Sequence, residues 1–162
     1  MTLPGMVQLP QTSAFEERVE ILTNELELAI KWDRPSTLLA IYNSEYVRTD
    51  AETALENFMV IQGQKVIHIK MDDMPDFNLV SLLQLYPSTV NHIFFVHGLK
   101  KPFTEQSNIF IKLGHHADIL VRRKIRIVFW LTQNAAAEML HIAPDFWEDR
   151  QHIIEFVDSP KP

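Results

Sequence analysis

The residues best placed for chemistry lie where an apolar run meets a helical pattern. Thr37-Leu38-Leu39-Ala40-Ile41-Tyr42 reads as a buried strand, and Asn43-Ser44-Glu45-Tyr46-Val47-Arg48-Thr49 leads from it into an amphipathic helix. A loop that closes around phosphates at such a junction has the form G-x-x-x-x-G-K-[S/T], because only glycines let successive backbone N–H groups converge on an anion. On that frame Tyr42 and Val47 stand at the glycine positions, Arg48 at the lysine and Thr49 at the hydroxyl. The spacing is kept and the glycines are not. Arg48 and Thr49 at a helix start retain some attraction for phosphate, whereas Tyr42, Tyr46 and Val47 are expected to plug the space that glycines would leave open.

Phosphoryl transfer also requires an acid just beyond an apolar strand, to hold magnesium. Here Ile93-Phe94-Phe95-Val96 runs into His97, and magnesium prefers hard oxygen donors to imidazole. Two elements of hydrolysis are therefore missing independently, so the sequence predicts no NTP hydrolysis and no catalytic residue. Asp72 and Asp73 form a carboxylate pair that a turn and a helix start account for. The seven histidines show no H-x-x-x-H or H-E-x-x-H spacing. His115 and His116 project about 100° apart on a helix, and His92 and His97 sit at opposite ends of one strand. Neither a metal nor a cofactor is expected. Ser44 lacks the glycines of a G-x-S-x-G elbow and is no nucleophile.

The elements that must position these residues alternate along the chain. Ser13 and Glu16 form a capping box for a first helix whose buried stripe is Phe15, Val19, Leu22, Leu26, Ala29 and Ile30, ended by Asp33-Arg34-Pro35. Strands are predicted at 37–42, 65–71, 90–96, 125–131 and 151–157. Helices fall at 49–62, opened by a Thr49/Glu52 capping box and closed by Gly63, then as a short helix with Leu79, Val80, Leu82, Leu83 and Leu85 after the turn Asp72–Asp76, at 107–123 and at 134–141. The second helix should bury Ala51, Ala54, Leu55 and Phe58. Strands alternating with helices imply right-handed crossovers, and strands as apolar as 93–96 and 125–131 imply a sheet covered on both faces. The fold class is α/β, a three-layer sandwich with a mainly parallel sheet. Residues 1–14 form an N-terminal arm, 15–157 a single domain and 158–162 a C-terminal tail.

Composition narrows the partners. A net charge of −6 opposes nonspecific nucleic-acid binding, and the basic run Arg122-Arg123-Lys124-Ile125-Arg126 reads as a solvated helix end. No apolar run reaches membrane-span length, so no membrane contact is expected. With no cysteine and no signal-like N-terminus, a cytoplasmic location is expected.

The C-terminal third carries a resemblance. Ile127-Val128-Phe129-Trp130-Leu131-Thr132, then Ala143-Pro144-Asp145-Phe146-Trp147-Glu148-Asp149-Arg150, then Ile153-Ile154-Glu155-Phe156 resembles the end of the nucleotide-binding domain in bacterial STAND-type P-loop signalling proteins, often fused to tetratricopeptide repeats. The resemblance implies a P-loop-NTPase-like sheet. With the glycine-rich loop and the acidic strand end replaced, it implies an inactive member: an adaptor or regulatory protein-interaction module of a signalling or conflict system. Its partner would be another protein, and a homo-oligomer is left open. Candidate contact residues are Lys100, Lys101 and Phe103 in one loop and Phe146, Trp147 and Arg150 in the aromatic element. The alternative is a nucleotide-binding sensor or weak NTPase that takes phosphate near Arg48 and Thr49. The two differ in whether the junction after the first strand is open or filled.

Overall fold

The computed structural model describes residues 11–71, 79–85, 91–98, 117–142 and 152–156. Five strands, β1 (Ser36–Tyr42), β2 (Lys65–Lys70), β3 (His92–His97), β4 (Arg126–Thr132) and β5 (His152–Phe156), form one sheet in the order β2-β3-β4-β1-β5. Every neighbouring pair is parallel. The helices are α1 (Gln11–Lys31), α2 (Glu45–Ile61), α3 (Leu79–Leu85), α4 (Ala117–Arg122) and α5 (Gln133–Ile142).

Strand order and crossover handedness together explain the layers. From β1 the chain moves to the far edge at β2, then returns through β3 and β4 and passes β1 to reach β5. Right-handed crossovers in opposite directions must place their helices on opposite faces. Accordingly, Ala51, Leu55 and Met59 of α2 pack with Val19, Leu22 and Leu26 of α1 on one face. Leu79 and Leu83 of α3, Leu120 of α4 and Ala135, Ala136 and Met139 of α5 pack on the other. Period-two alternation divides the strands between the two cores: Leu38, Ala40, Tyr42, Val128 and Trp130 face the α1/α2 side, while Leu39, Ile41, Ile127, Phe129 and Leu131 face the α3–α5 side. Trp130 anchors the first core, its ring 5.6 Å from Phe95 and 6.0 Å from Phe156, and Phe156 meets Phe15 edge-on at 5.8 Å.

The sandwich and its parallel sheet match the sequence expectation, while several boundaries move. α1 already includes Gln11, so Ser13 lies inside the helix and does not cap it. α2 begins at Glu45 with Ser44 as its N-cap, four residues before Thr49. Ser44 wins because its oxygen can accept from an amide of the first turn, the Val47 N–H, at 3.5 Å. Phe58 of α2 is half exposed, and the buried positions there are Ala51, Glu52, Leu55 and Met59. Gly63, at φ +83°, leads the chain out of α2 through the left-handed region that suits glycine.

The basic run is split by the fold. Arg122 ends α4 and pairs with Asp118 at 3.3 Å, but Arg126 opens β4 and is 1% exposed. Its guanidinium donates to the Ala29 carbonyl at 3.3 Å and lies 3.5 Å from Asp33. A cation thus sits against the carbonyl end of α1, where the helix dipole favours it. Lys124 reaches the same Asp33 at 2.6 Å. This clasp ties the end of α1 to the amino ends of the strands, so the run is not a solvated helix end throughout.

Candidate functional site at the carboxyl ends of the strands

In an open parallel sheet, ligands meet the carboxyl ends of strands where the chain reverses direction across the sheet. Here that point is the crevice beside β1 and β4, since β1 connects toward β2 and β4 connects past β1 to β5. The β1–α2 junction therefore stands where the sequence placed its phosphate-like frame.

Side chains occupy that junction. Tyr42, the last residue of β1, is buried, and its hydroxyl donates to Glu45 Oε2 at 3.1 Å. Burial, with the nearby Glu45 carboxylate second, pushes the phenol above its ordinary range. Because α2 starts at Glu45, Arg48 lies within the helix, one turn from both Glu45 and Glu52, where i,i+3 and i,i+4 partners face each other. Arg48 donates to Glu45 Oε1 at 2.7 Å and to Glu52 Oε2 at 2.6 Å, and its guanidinium lies 5.8 Å from the Tyr42 ring centroid. Burial works against the charge of Arg48, yet its hydrogen bonds to Glu45 and Glu52, with the charges of the two carboxylates, outweigh it and raise its pKa. Glu52 is raised as well: burial outweighs the pull of Arg48 and His68 in the opposite direction.

The remaining members of the frame are engaged elsewhere. Thr49 is exposed, and its hydroxyl donates to the Glu45 carbonyl at 2.9 Å. Val47 is half-buried. Tyr46 is 76% exposed and plugs nothing, contrary to expectation. As the second residue of α2 it projects away from the sheet, while the plug consists of Tyr42 and the Glu45–Arg48–Glu52 ion pairs. Ser44 serves as the helix cap.

A second group adjoins the first. His68 of β2 and His97 of β3 lie on the α2 face, with ring centroids 6.1 Å apart. His68 Nε2 is 2.8 Å from Glu56 Oε1, and its Nδ1 is 3.8 Å from Glu52 Oε1. One donor atom each from Glu52, His68 and His97 lie within 4.8 Å of one another. Spacing along one element could not reveal this cluster, because its members come from a helix and two strands. The Glu45-Arg48-Glu52 spacing was a usable signal for the ion pairs, but only once the helix start was placed at Ser44. Asp72, Asp73, His115 and His116 lie outside the described residues, as do the contact candidates Lys100, Lys101, Phe103, Phe146, Trp147 and Arg150.

A cleft of about 520 Å³ runs between α1 and α2 on the same face of the sheet. Phe15, Val19, Ala54 and Phe58 supply its apolar lining, and Glu16, Glu20 and Glu27 are among its acidic members. No helix among the described residues is long and apolar enough to cross a membrane.

No family model and no curated protein matches the sequence. Solved structures do. The Aeropyrum pernix ORC2 protein in its ADPNP-ADP complexes superimposes with a TM-score of 0.56 at 18% identity, covering 87% of this chain and 47% of that one. Its ADP form gives 0.55 at 15% identity, covering 97% and 50%. The chain spans about half the length of these neighbours. At such identity the likeness is one of fold: this chain has an α/β fold with an all-parallel five-stranded sheet similar to that of the ORC2 structures.

Proposed function

We propose that the chain is a non-hydrolysing P-loop-NTPase-like domain that works as a protein-interaction module, an adaptor or regulatory component of a bacterial signalling or conflict system. One observation carries the non-catalytic part. Arg48, the residue that stands at the lysine position, is held between Glu45 and Glu52 at 2.7 and 2.6 Å. Glu45 occupies the first position of α2, where a phosphate would otherwise benefit from the helix dipole. A polyphosphate would have to displace two carboxylates and meet their repulsion. His97 at the end of β3 adds no hard oxygen donor for magnesium. The STAND-type assignment and the signalling role draw on the resemblance of residues 127–156.

The interaction part draws support from the cleft between α1 and α2. Its apolar floor and acidic rim suit a partner segment that presents apolar side chains flanked by Lys or Arg, and Phe58, 49% exposed, is the natural anchor.

The rival reading is a nucleotide-binding sensor or weak NTPase, favoured by the nucleotide-bound states of the two ORC2 structures. Thermal unfolding with and without Mg-ATP, ADP and GTP separates them. A ligand at a hundredfold over its Kd adds about 2.7 kcal/mol, a rise of about 5–10 °C in Tm for a domain of this size. The adaptor reading expects no shift with any nucleotide. A rise of that size installs the sensor in its place.

A further inference from the structure

We propose that Glu52, His68 and His97 form a binding site for one divalent transition-metal ion of the zinc or cobalt class, independently of whether the domain acts as an adaptor. Two imidazoles and one carboxylate are a donor set that zinc and its neighbours in the series accept, with further positions left for water or a ligand. The donor atoms already lie within 4.8 Å of one another, and Glu52 Oε1 and His68 Nδ1 are 3.8 Å apart. Around a tetrahedral ion with bonds of about 2.1 Å, donors lie about 3.4 Å apart, so small side-chain rotations close the set.

The surroundings of His68 and Glu52 are those of ligands as well. The Glu56 carboxylate can only accept a hydrogen bond, so His68 Nε2, 2.8 Å away, carries the proton. In the neutral ring this leaves the Nδ1 lone pair directed toward Glu52, the carboxylate–histidine arrangement that orients metal-bound imidazoles. Arg48 holds Glu52 Oε2 at 2.6 Å, which fixes the carboxylate and leaves Oε1 on the imidazole side. Glu52 is buried while His68 remains about 40% exposed, so an ion can enter from solvent and be gripped from below. The site sits at the carboxyl ends of β2 and β3, beside the junction where phosphate chemistry would have been.

The test uses the full chain and ZnCl2 or CoCl2 alone, titrated calorimetrically with magnesium present. The expected result is one ion per chain, not displaced by magnesium. Affinity should fall at least tenfold in His68→Ala and in His97→Ala, with each variant's folding checked by circular dichroism. Glu56 is a positioning residue: Glu56→Ala should cost about 10–100-fold in affinity, and Glu56→Gln, which still offers an acceptor oxygen, should recover most of it. Should a histidine variant fail to fold, cobalt added to the wild type decides the matter. Paramagnetic broadening must then select the His68 and His97 imidazoles among the seven. Absence of zinc and cobalt binding in the wild type, undiminished affinity in folded His68→Ala and His97→Ala proteins, or broadening of other histidines overturns the proposal. A nucleotide-induced Tm shift bears on the adaptor reading and leaves this one standing.

Discussion

The two ends of the sheet each hold an arginine, buried at one end and half-buried at the other, and they use it differently. At the amino ends, Arg126 is 1% exposed yet depends on an exposed carboxylate, Asp33, that Lys124 also holds. At the carboxyl ends, Arg48 is shared by two carboxylates, one of them the buried Glu52, with His68, Glu56 and His97 alongside. The first arrangement closes a helix end and ties two segments together. The second concentrates ionisable groups of both signs in a partly water-excluded crevice, the kind of environment that shifts pKa values and marks candidate functional sites. Location in the fold separates them: the arginine at the base closes a helix end beside an exposed carboxylate, whereas the one at the top compensates two carboxylates, one of them buried.

The largest expected effect breaks the plug. Tyr42→Ala removes a fully buried ring from the α1/α2 core and should cost about 3–5 kcal/mol, measured by urea unfolding. Tyr42→Phe keeps the ring and loses one hydrogen bond, for about 1 kcal/mol. If Tyr42→Ala proves mild, the junction is looser than its packing indicates and the argument against nucleotide entry weakens with it.

The same substitution at both ends sharpens the contrast. Arg48→Met strands Glu52 in its buried position near two further carboxylates and should cost about 1–3 kcal/mol at neutral pH. Arg126→Met leaves Asp33 exposed and still paired with Lys124, and the Ala29 carbonyl retains the Arg34 N–H at 2.8 Å. Its replacement by an apolar side chain of similar length should cost less than about 1 kcal/mol. Equal losses at the two ends would mean that both arginines act through packing alone.

How much of this was legible follows from which interactions are local. The layered fold could be read because each strand's apolar run and each helix's stripe are properties of a short window, as Ile127–Leu131 and Val19–Leu26 illustrate. The start of α2 could not, since Ser44 and Thr49 are both good caps followed by acceptable helix residues. A start at Thr49 leaves Arg48 in the loop, out of helical register with Glu45 and Glu52. Phe58 shows a different limit: 51, 55 and 58 satisfy helical spacing as well as 52, 55 and 59 do, and packing turns Glu52 and Met59 inward while Phe58 stays half exposed. The His68–His97 pair was illegible in principle, because parallel register between β2 and β3 is set by the whole sheet and leaves no trace in sequence spacing. Arg126 looked like a surface cation until the fold put the end of α1 over it.

The two carboxylates also differ in the sign of their pH response. Hydrogen bonding to Lys124 holds Asp33 below 3.8, so its contribution is present above that pH and lost as pH falls through the lowered value. Burial raises Glu52 above 4.5, so the folded state binds the extra proton, and stability from this group declines as pH rises from 4.5 through the raised value. Asp33→Asn should therefore be less stable than wild type at neutral pH and converge with it in acid. Glu52→Gln should gain on the wild type as pH rises above 4.5. Thermal unfolding across pH 3–7 checks both, and parallel curves for the two variants would erase the distinction between the ends.

The smallest expected effect concerns Tyr46. At 76% exposure it contributes little to the core, and Tyr46→Ala should change stability by less than about 0.5 kcal/mol, against several for Tyr42→Ala. These tyrosines are only four positions apart, yet Tyr42 ends an interior strand and Tyr46 is the second residue of a helix on the surface. If Tyr46→Ala leaves stability unchanged but weakens binding to a captured partner, the exposed face of α2 belongs to the interaction surface along with Phe58. A loss comparable to that of Tyr42→Ala would instead mean that Tyr46 folds back over the crevice, closing from outside the junction that Tyr42 fills from within.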